Sequence, residues 1–352
     1  MDKEHLALFE LIKIGISGKV NSEVQLLTDK GTDWEQIFKI SCIHGVICLA
    51  FNGIETLYAN GINPCPVKVK LNWYLQAKNQ CQTYEKKKSL CIEYVNRLNL
   101  PCVVLKGLDY CKYWPKPEWR NFGDLDIWTC GRYQEGNERS KEIGCKVHDE
   151  GYYKHSEIIY KKLVVENHEY LTMFDGTKSG RYIEQSLRQL LKEPFNNIEG
   201  STILSPNETF TAVFMLVHAH QHFFYEGFSL KFILDWYFFL KRNENDGNVD
   251  WEKVLNIFDK AGIRGFYDVM TAFCCKYFDM TPALANSRDS KLLEEFSLAI
   301  FDENYGQKES KTKQLMKRFH RMWRFRHFLG ESVPKRITNT FIYNYWHHKP
   351  KL

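Results

Sequence analysis

The sequence predicts an α+β fold: a small mixed β-sheet core flanked by N- and C-terminal helical regions. Three observations carry this. Apolar residues recur at helical spacing through the first 100 residues. Short β-branched runs bounded by proline and glycine appear between about 100 and 175, interleaved with helical stretches. Helical spacing then returns from about 205. Three regions follow: 1–100 helical, 101–200 the sheet core, and 201–352 helical with a basic tail.

Taken in order, Leu6, Phe9, Leu11, Ile12 and Ile16 mark a first amphipathic helix. Trp34 to Leu57, with Trp34, Ile37, Phe38 and Ile40, marks a second. Asn60-Gly61-Ile62-Asn63-Pro64-Cys65-Pro66 ends it, because two prolines and a glycine cannot continue a helix. Val67 to Leu98 reads as one long helix, with Leu71, Tyr74, Leu75 and Ala77 inward and Lys86-Lys87-Lys88 solvated. Cys102-Val103-Val104-Leu105, between Pro101 and Gly107, reads as a strand, and Leu125-Asp126-Ile127-Trp128-Thr129 as another. Ile158-Ile159-Tyr160 and Leu163-Val164-Val165-Glu166 read as neighbouring strands. Ser205-Pro206-Asn207-Glu208 reads as a helix start, with Ser at the cap and Pro at the first position. Met215 to His222 and Leu230 to Leu240 are apolar helices, and Asp250-Trp251-Glu252 opens a further one. The chain carries no internal repeat and no low-complexity linker.

A length of 352 residues allows one large domain or two to three ordinary ones, and 44% hydrophobic with 26% charged residues suits a buried core with a soluble surface. The start, Met1-Asp2-Lys3-Glu4-His5, lacks the basic stretch and apolar run of a secretory signal. The best approach to a membrane span, Phe228 to Leu240, is interrupted by Lys231 and Asp235. Eleven scattered cysteines without a Cys-x-x-Cys read as reduced thiols, so a cytoplasmic location is expected. The net charge of +5 is uneven. Lys308 to Lys351 holds 12 Lys or Arg against two acids, +10, which leaves −5 over the rest.

The residues richest in chemistry are Asp124 and Asp126. On a strand, positions i and i+2 share a face, so two carboxylates lie side by side and repel unless a cation sits between them. Oxygen ligands of this kind suit Mg²⁺ (or Mn²⁺). Upstream, Leu105-Lys106-Gly107 ends a strand ahead of a helix. There a glycine lets backbone amides approach a phosphate, and a helix N-terminus favours anions. Glu166 supplies a third carboxylate at the end of another strand, and three carboxylates on adjacent strands can hold two metal ions.

Val104-Leu105-Lys106-Gly107, Tyr113-Trp114-Pro115-Lys116-Pro117 and Arg120-Asn121-Phe122-Gly123-Asp124-Leu125-Asp126-Ile127 together resemble an uncharacterised nucleotidyltransferase family of the DNA polymerase beta superfamily. The resemblance continues at Val165-Glu166-Asn167-His168, at His218-Ala219-His220-Gln221-His222, at Leu230 to Trp236 and, upstream, at Trp34 and His44-Gly45-Val46, so it covers about residues 30 to 280. It implies metal binding by Asp124, Asp126 and Glu166, with Glu166 alternatively the base toward the acceptor hydroxyl. It places Gly107 under a triphosphate, with Lys106 and Arg120 as phosphate contacts. The implied reaction moves a nucleoside monophosphate, AMP foremost, from a nucleoside triphosphate to an unknown acceptor with release of pyrophosphate. One departure stands out: where the superfamily has Ser or Gly after the phosphate-loop glycine, this chain has Leu108. That motivates an alternative, a nucleotide-binding regulatory module whose chemistry has decayed.

His218 and His222 share a helix face at i and i+4, a spacing that can ligate zinc. With His168 or Asp235 they would build a zinc-dependent hydrolase; otherwise all four are candidate cleft residues. The segment Lys317-Arg318-Phe319-His320-Arg321-Met322-Trp323-Arg324-Phe325-Arg326 mixes cations with aromatics, which suits nucleic acid or an anionic membrane surface.

Overall fold

The computed structural model describes residues 1–20, 24–149, 153–173, 177–192, 195–198, 203–225, 227–243, 246–280, 290–301 and 310–345. Its first region is helical. α1 (Lys3–Ser17), α2 (Gln25–Thr28), α3 (Trp34–Ile43) and α4 (Ile47–Ala59) precede the long α5 (Val67–Leu98). α1 and α4 meet backbone to backbone at two glycines. A Cβ on Gly15 would stand 2.1 Å from the Leu49 carbonyl oxygen, and one on Gly53 2.2 Å from that of Leu11. The stretch expected as one helix from Trp34 to Leu57 is two. His44-Gly45-Val46 breaks it, with Gly45 at φ +69°, a left-handed conformation that costs glycine nothing.

α5 is the single long helix expected, but its inward face differs. The buried stripe is Trp73, Ala77, Tyr84, Cys91, Val95 and Leu98, spaced by three, four or seven residues, with Tyr94 beside it. Leu71, Tyr74 and Leu75 fall off that stripe and are exposed.

The sheet follows, with strands β1 (Val103–Val104), β2 (Leu125–Trp128), β3 (Lys146–His148), β4 (His155–Tyr160), β5 (Leu163–His168), β6 (Asn196–Asn197) and β7 (Leu204–Ser205). α6 (Tyr133–Glu142) and α7 (Lys178–Leu190) are interleaved with them. Among the described residues the spatial order is β3-β4-β5-β2-β1-β7-β6. β2–β5 and β1–β7 pair in parallel and the other neighbours antiparallel, so the sheet is mixed. Side chains alternate between its faces. Leu125, Ile127, Ile158 and Val165 go to one face and pack with Tyr94, Val95 and Leu98 of α5. Each such side chain contributes roughly 1.5–3 kcal/mol on full burial. Asp126 and Glu166 stand opposite each other in register, on the other face.

The sheet reaches further along the chain than 175. Ser205, expected as a helix cap, belongs to β7, and its hydroxyl accepts from Lys112 (2.7 Å). Asn207 takes over as the cap. Its side chain accepts from the Phe210 N–H, and α8 starts at Glu208. The expected boundary between residues 200 and 201 lies outside the described residues.

α8 (Glu208–Tyr225), α9 (Leu230–Asn243), α10 (Trp251–Ala261), α11 (Arg264–Tyr277), α12 (Ser290–Phe301), α13 (Lys311–Arg324) and α14 (Val333–Tyr345) complete the chain. Their apolar faces merge with those of α1, α3 and α4 in one continuous core. The basic segment docks on α8. Phe328 O accepts from His220 Nε2 (2.9 Å), Arg321 donates to Phe223 O (2.8 Å), and Arg336 donates to the Tyr225 hydroxyl (2.6 Å). On α13 Leu315, Met316, Phe319 and Trp323 stay exposed. Parts of the expected tail, 308–309 and 346–351, lie outside the described residues. All eleven cysteines are free thiols, as expected, and no described helix is long and apolar enough to cross a membrane.

Candidate active site

Three strands, β2, β4 and β5, and one turn assemble the polar site on the sheet. The turn comes directly after β1, where Gly107 adopts φ +68°. A Cβ there would approach the Asp124 carbonyl oxygen to 3.1 Å, so the turn lies against the entry to β2. The element that follows differs from the helix expected. It is a 3₁₀ segment, Asp109–Tyr113, of five residues led by an acid, too short to present the dipole of a full helix.

Two of the expected carboxylates stand face to face. Asp126 is 1% exposed and Glu166 faces it across the β2–β5 ladder. Lys106 Nζ lies 3.1 Å from Asp126 Oδ1. His168 Nε2 lies 3.1 Å from that same oxygen and 3.4 Å from Glu166 Oε2. His155 Nδ1 lies 3.5 Å from Glu166 Oε2. Lys87 donates to the Phe122 and Gly123 carbonyls and so holds the segment just ahead of Asp124.

The electrostatics follow from this crowding. Burial, with the negative charges of Asp126 and Glu166 behind it, pushes the Asp124 carboxyl above its ordinary range. Burial also opposes ionisation of Glu166. Yet the His168 hydrogen bond and the Lys106 charge outweigh it and hold that carboxyl well below the usual range. Lys106 keeps its proton more firmly than usual, because the charges of Asp126 and Glu166 exceed the penalty of its burial. Burial depresses His155 to about 2, leaving a neutral imidazole. Among the described residues one trio of His, Cys, Asp or Glu brings its ligand atoms within 4.8 Å of one another: His155, Glu166 and His168.

His218 and His222 face this site from α8. Burial and then the charge of Lys106 lower both, His222 to about 3, and His222 also feels Asp126. Their Nε2 atoms are 3.0 Å apart, so one ring donates to the other. Asp235 is not available to complete a zinc site with them. Its oxygens accept from Arg120 Nε (2.6 Å), Arg120 Nη2 (2.8 Å) and Trp114 Nε1 (2.8 Å). Arg120 turns its remaining nitrogen to Gly107 O (2.9 Å), so its guanidinium braces the turn from within.

Three groups near the site carry no motif in the sequence. Lys154 is buried, and Lys231 is brought to about 8 by burial and then by the Arg120 charge. Both act electrostatically on His218 and His222. His155 was legible through pairing: Lys161-Lys162 separates β4 from β5, and counting back from Tyr160↔Leu163 sets His155 opposite His168. Beside His168 opens a cleft of about 400 Å³ lined by Trp128, Tyr133, Tyr170, Arg132 and Arg188.

A family model described as an uncharacterised nucleotidyltransferase matches residues 30–279, most of the chain. No curated protein and no solved structure matches it.

Proposed function

The chain belongs to the uncharacterised nucleotidyltransferase family, and from that premise we propose that it moves a nucleoside monophosphate, AMP foremost, from a nucleoside triphosphate to an acceptor hydroxyl. The observation that carries the reading is Asp126 held opposite Glu166 on parallel strands, with Lys106 against Asp126 and Asp124 within reach of all three charges. This donor set fits a divalent cation, because buried carboxylates this close are costly without one. Asp124, Asp126 and Glu166 would hold it. When bound, such a cation neutralises the triphosphate and polarises its α-phosphate.

The remaining chemistry falls to the chain itself. Lys106 and the Gly107 turn would receive the phosphates, with Lys154 and Lys231 adding positive field around them and the His218–His222 face offering neutral hydrogen-bonding groups. The acceptor oxygen bonds to the α-phosphorus as the bond from that phosphorus to the β-bridging oxygen breaks, and pyrophosphate leaves. The hydroxyl proton passes to a carboxylate. The cleft lined by Trp128, Tyr133 and Tyr170 offers ring faces for a base or acceptor.

The test is calorimetric titration of ATP, GTP, CTP and UTP with Mg²⁺ into wild type and Asp124→Ala/Asp126→Ala. Metal-dependent binding of one nucleotide, lost in the double variant, is the expected result. Equal binding by the double variant would remove Asp124 and Asp126 from the site. A second reading rests on Leu108, which is buried in the apolar core and offers no hydroxyl beside Gly107. Tight nucleotide binding without pyrophosphate release, across acceptors, would favour a non-catalytic module.

A further inference from the structure

The His155–Glu166–His168 trio bears on which metal the site takes, and this deepens the proposed function. We propose that the cation beside Asp126 is a first-row transition-metal ion, held by the imidazoles of His168 and His155 together with Glu166 and Asp126, in preference to Mg²⁺. The first argument concerns His168. Its Nδ1 lies 3.0 Å from the Tyr170 carbonyl oxygen, which only accepts, so Nδ1 carries the hydrogen. Its Nε2 stands 3.1 Å from Asp126 Oδ1 and 3.4 Å from Glu166 Oε2, so one nitrogen and two oxygens converge on a point where a metal ion would take the place of a shared proton. A ligand imidazole whose other nitrogen donates to a backbone carbonyl is the usual outer support of a metal-bound histidine.

The second argument is metric. Metal–ligand bonds of about 2.1 Å place adjacent ligand atoms about 3.0 Å apart in an octahedron and about 3.4 Å apart in a tetrahedron. The observed separations are 3.1, 3.4 and, from His155 Nδ1 to Glu166 Oε2, 3.5 Å. The third is ligand chemistry. Mg²⁺ seeks oxygen and keeps its waters, whereas imidazole favours the transition series, with Zn²⁺ above Mn²⁺ in affinity. Lys106 shares Asp126 Oδ1 from its other side and is the competing cation there.

The test uses the full chain, stripped of metal with EDTA and titrated with Mn²⁺ without nucleotide. Binding is read by loss of the free-ion EPR signal, and nitrogen ligation by pulsed EPR. Expected are ¹⁴N couplings from the bound ion, at least a tenfold loss of Mn²⁺ affinity in His168→Ala, and displacement by Zn²⁺ but not by a hundredfold excess of Mg²⁺. Should His168→Ala fail to fold, His155→Asn gives the same comparison at a partly exposed ligand. Bound Mn²⁺ without ¹⁴N coupling, unchanged affinity in the variants, or displacement by equimolar Mg²⁺ would overturn the proposal. Nucleotide binding is measured separately. Nitrogen-coupled Mn²⁺ in a chain that binds no nucleotide upholds this inference and sinks the transferase reading, while Mg²⁺-dependent nucleotide binding without nitrogen coupling does the reverse.

Discussion

Breaking the Arg120–Asp235 pair separates a phosphate-binding arginine from a bracing one. Both partners are buried, 5% and 1% exposed, and the carboxylate accepts three hydrogen bonds. Asp235→Ala leaves a buried guanidinium without its counter-charge, which costs about 3–5 kcal/mol. For 352 residues, an unfolding entropy of about 2.1 cal/mol/K per residue turns that into a fall in Tm of about 4–7 °C. Arg120→Met/Asp235→Leu removes both charges at similar volume and should return Tm to within about 2 °C of wild type. Scanning calorimetry reads the stabilities, and titration with ATP reads the site. If Arg120 is a brace, the double variant binds ATP within about threefold of wild type. A contact to phosphate is a charge-assisted hydrogen bond worth about 1.5–3 kcal/mol, so its loss costs at least about tenfold. A double variant with recovered Tm and tenfold weaker ATP binding would refute the bracing argument.

Three other outcomes follow from the same structure. Stability should fall on acidification below pH 6.5. His44 and His220 are buried, and burial lowers them to about 4 and about 3, so only the unfolded chain takes up protons between those values and 6.5. Each then removes about 1.4 kcal/mol per pH unit. His220→Gln, which keeps a donor for Phe328 O, should flatten the Tm–pH slope, and an unchanged slope would contradict the assignment. Gly53→Ala forces α1 and α4 apart at a backbone contact, so the unfolding free energy should drop by more than the roughly 1–3 kcal/mol typical of overpacking. Wild-type stability there would mean the helices are not in backbone contact. Finally, the exposed Phe319 and Trp323 on the basic α13 predict co-sedimentation with anionic vesicles. Phe319→Ser/Trp323→Ser should abolish it, and retention by the variant would clear this face of the role.

Much of the fold was readable because its signals are local. The long α5, the four main strands and the helix opening at Asp250 depend on periodicity and on residues close in sequence. The acid pair was readable for the same reason, since a two-residue repeat decides which way Asp124 and Asp126 point. What escaped depends on tertiary partners. Nothing near Arg120 in the sequence announces Asp235, 115 positions away. The inward face of α5 is set by where the sheet lies, so Leu71, Tyr74 and Leu75 looked internal on hydrophobicity alone. Ser205 carried the chemistry of a cap, but pairing of Leu204 with Val103 claimed it for the sheet. Lys154 and Lys231 are single lysines whose burial no spacing reveals.

The loop after β5 is fastened from ahead in the chain. Buried Glu184 of α7 accepts from the Leu171 and Thr172 backbone N–H groups (3.1 and 3.0 Å), and Arg188 donates to the Glu169 carbonyl (2.6 Å). Those contacts fix the Tyr170 carbonyl that orients the His168 ring. During synthesis, therefore, the strands bearing Asp126 and Glu166 emerge before the helix that settles His168. A nascent chain ending near residue 170 carries both carboxylates but lacks the contacts that hold the ring, so the setting of His168 is completed only when α7 docks.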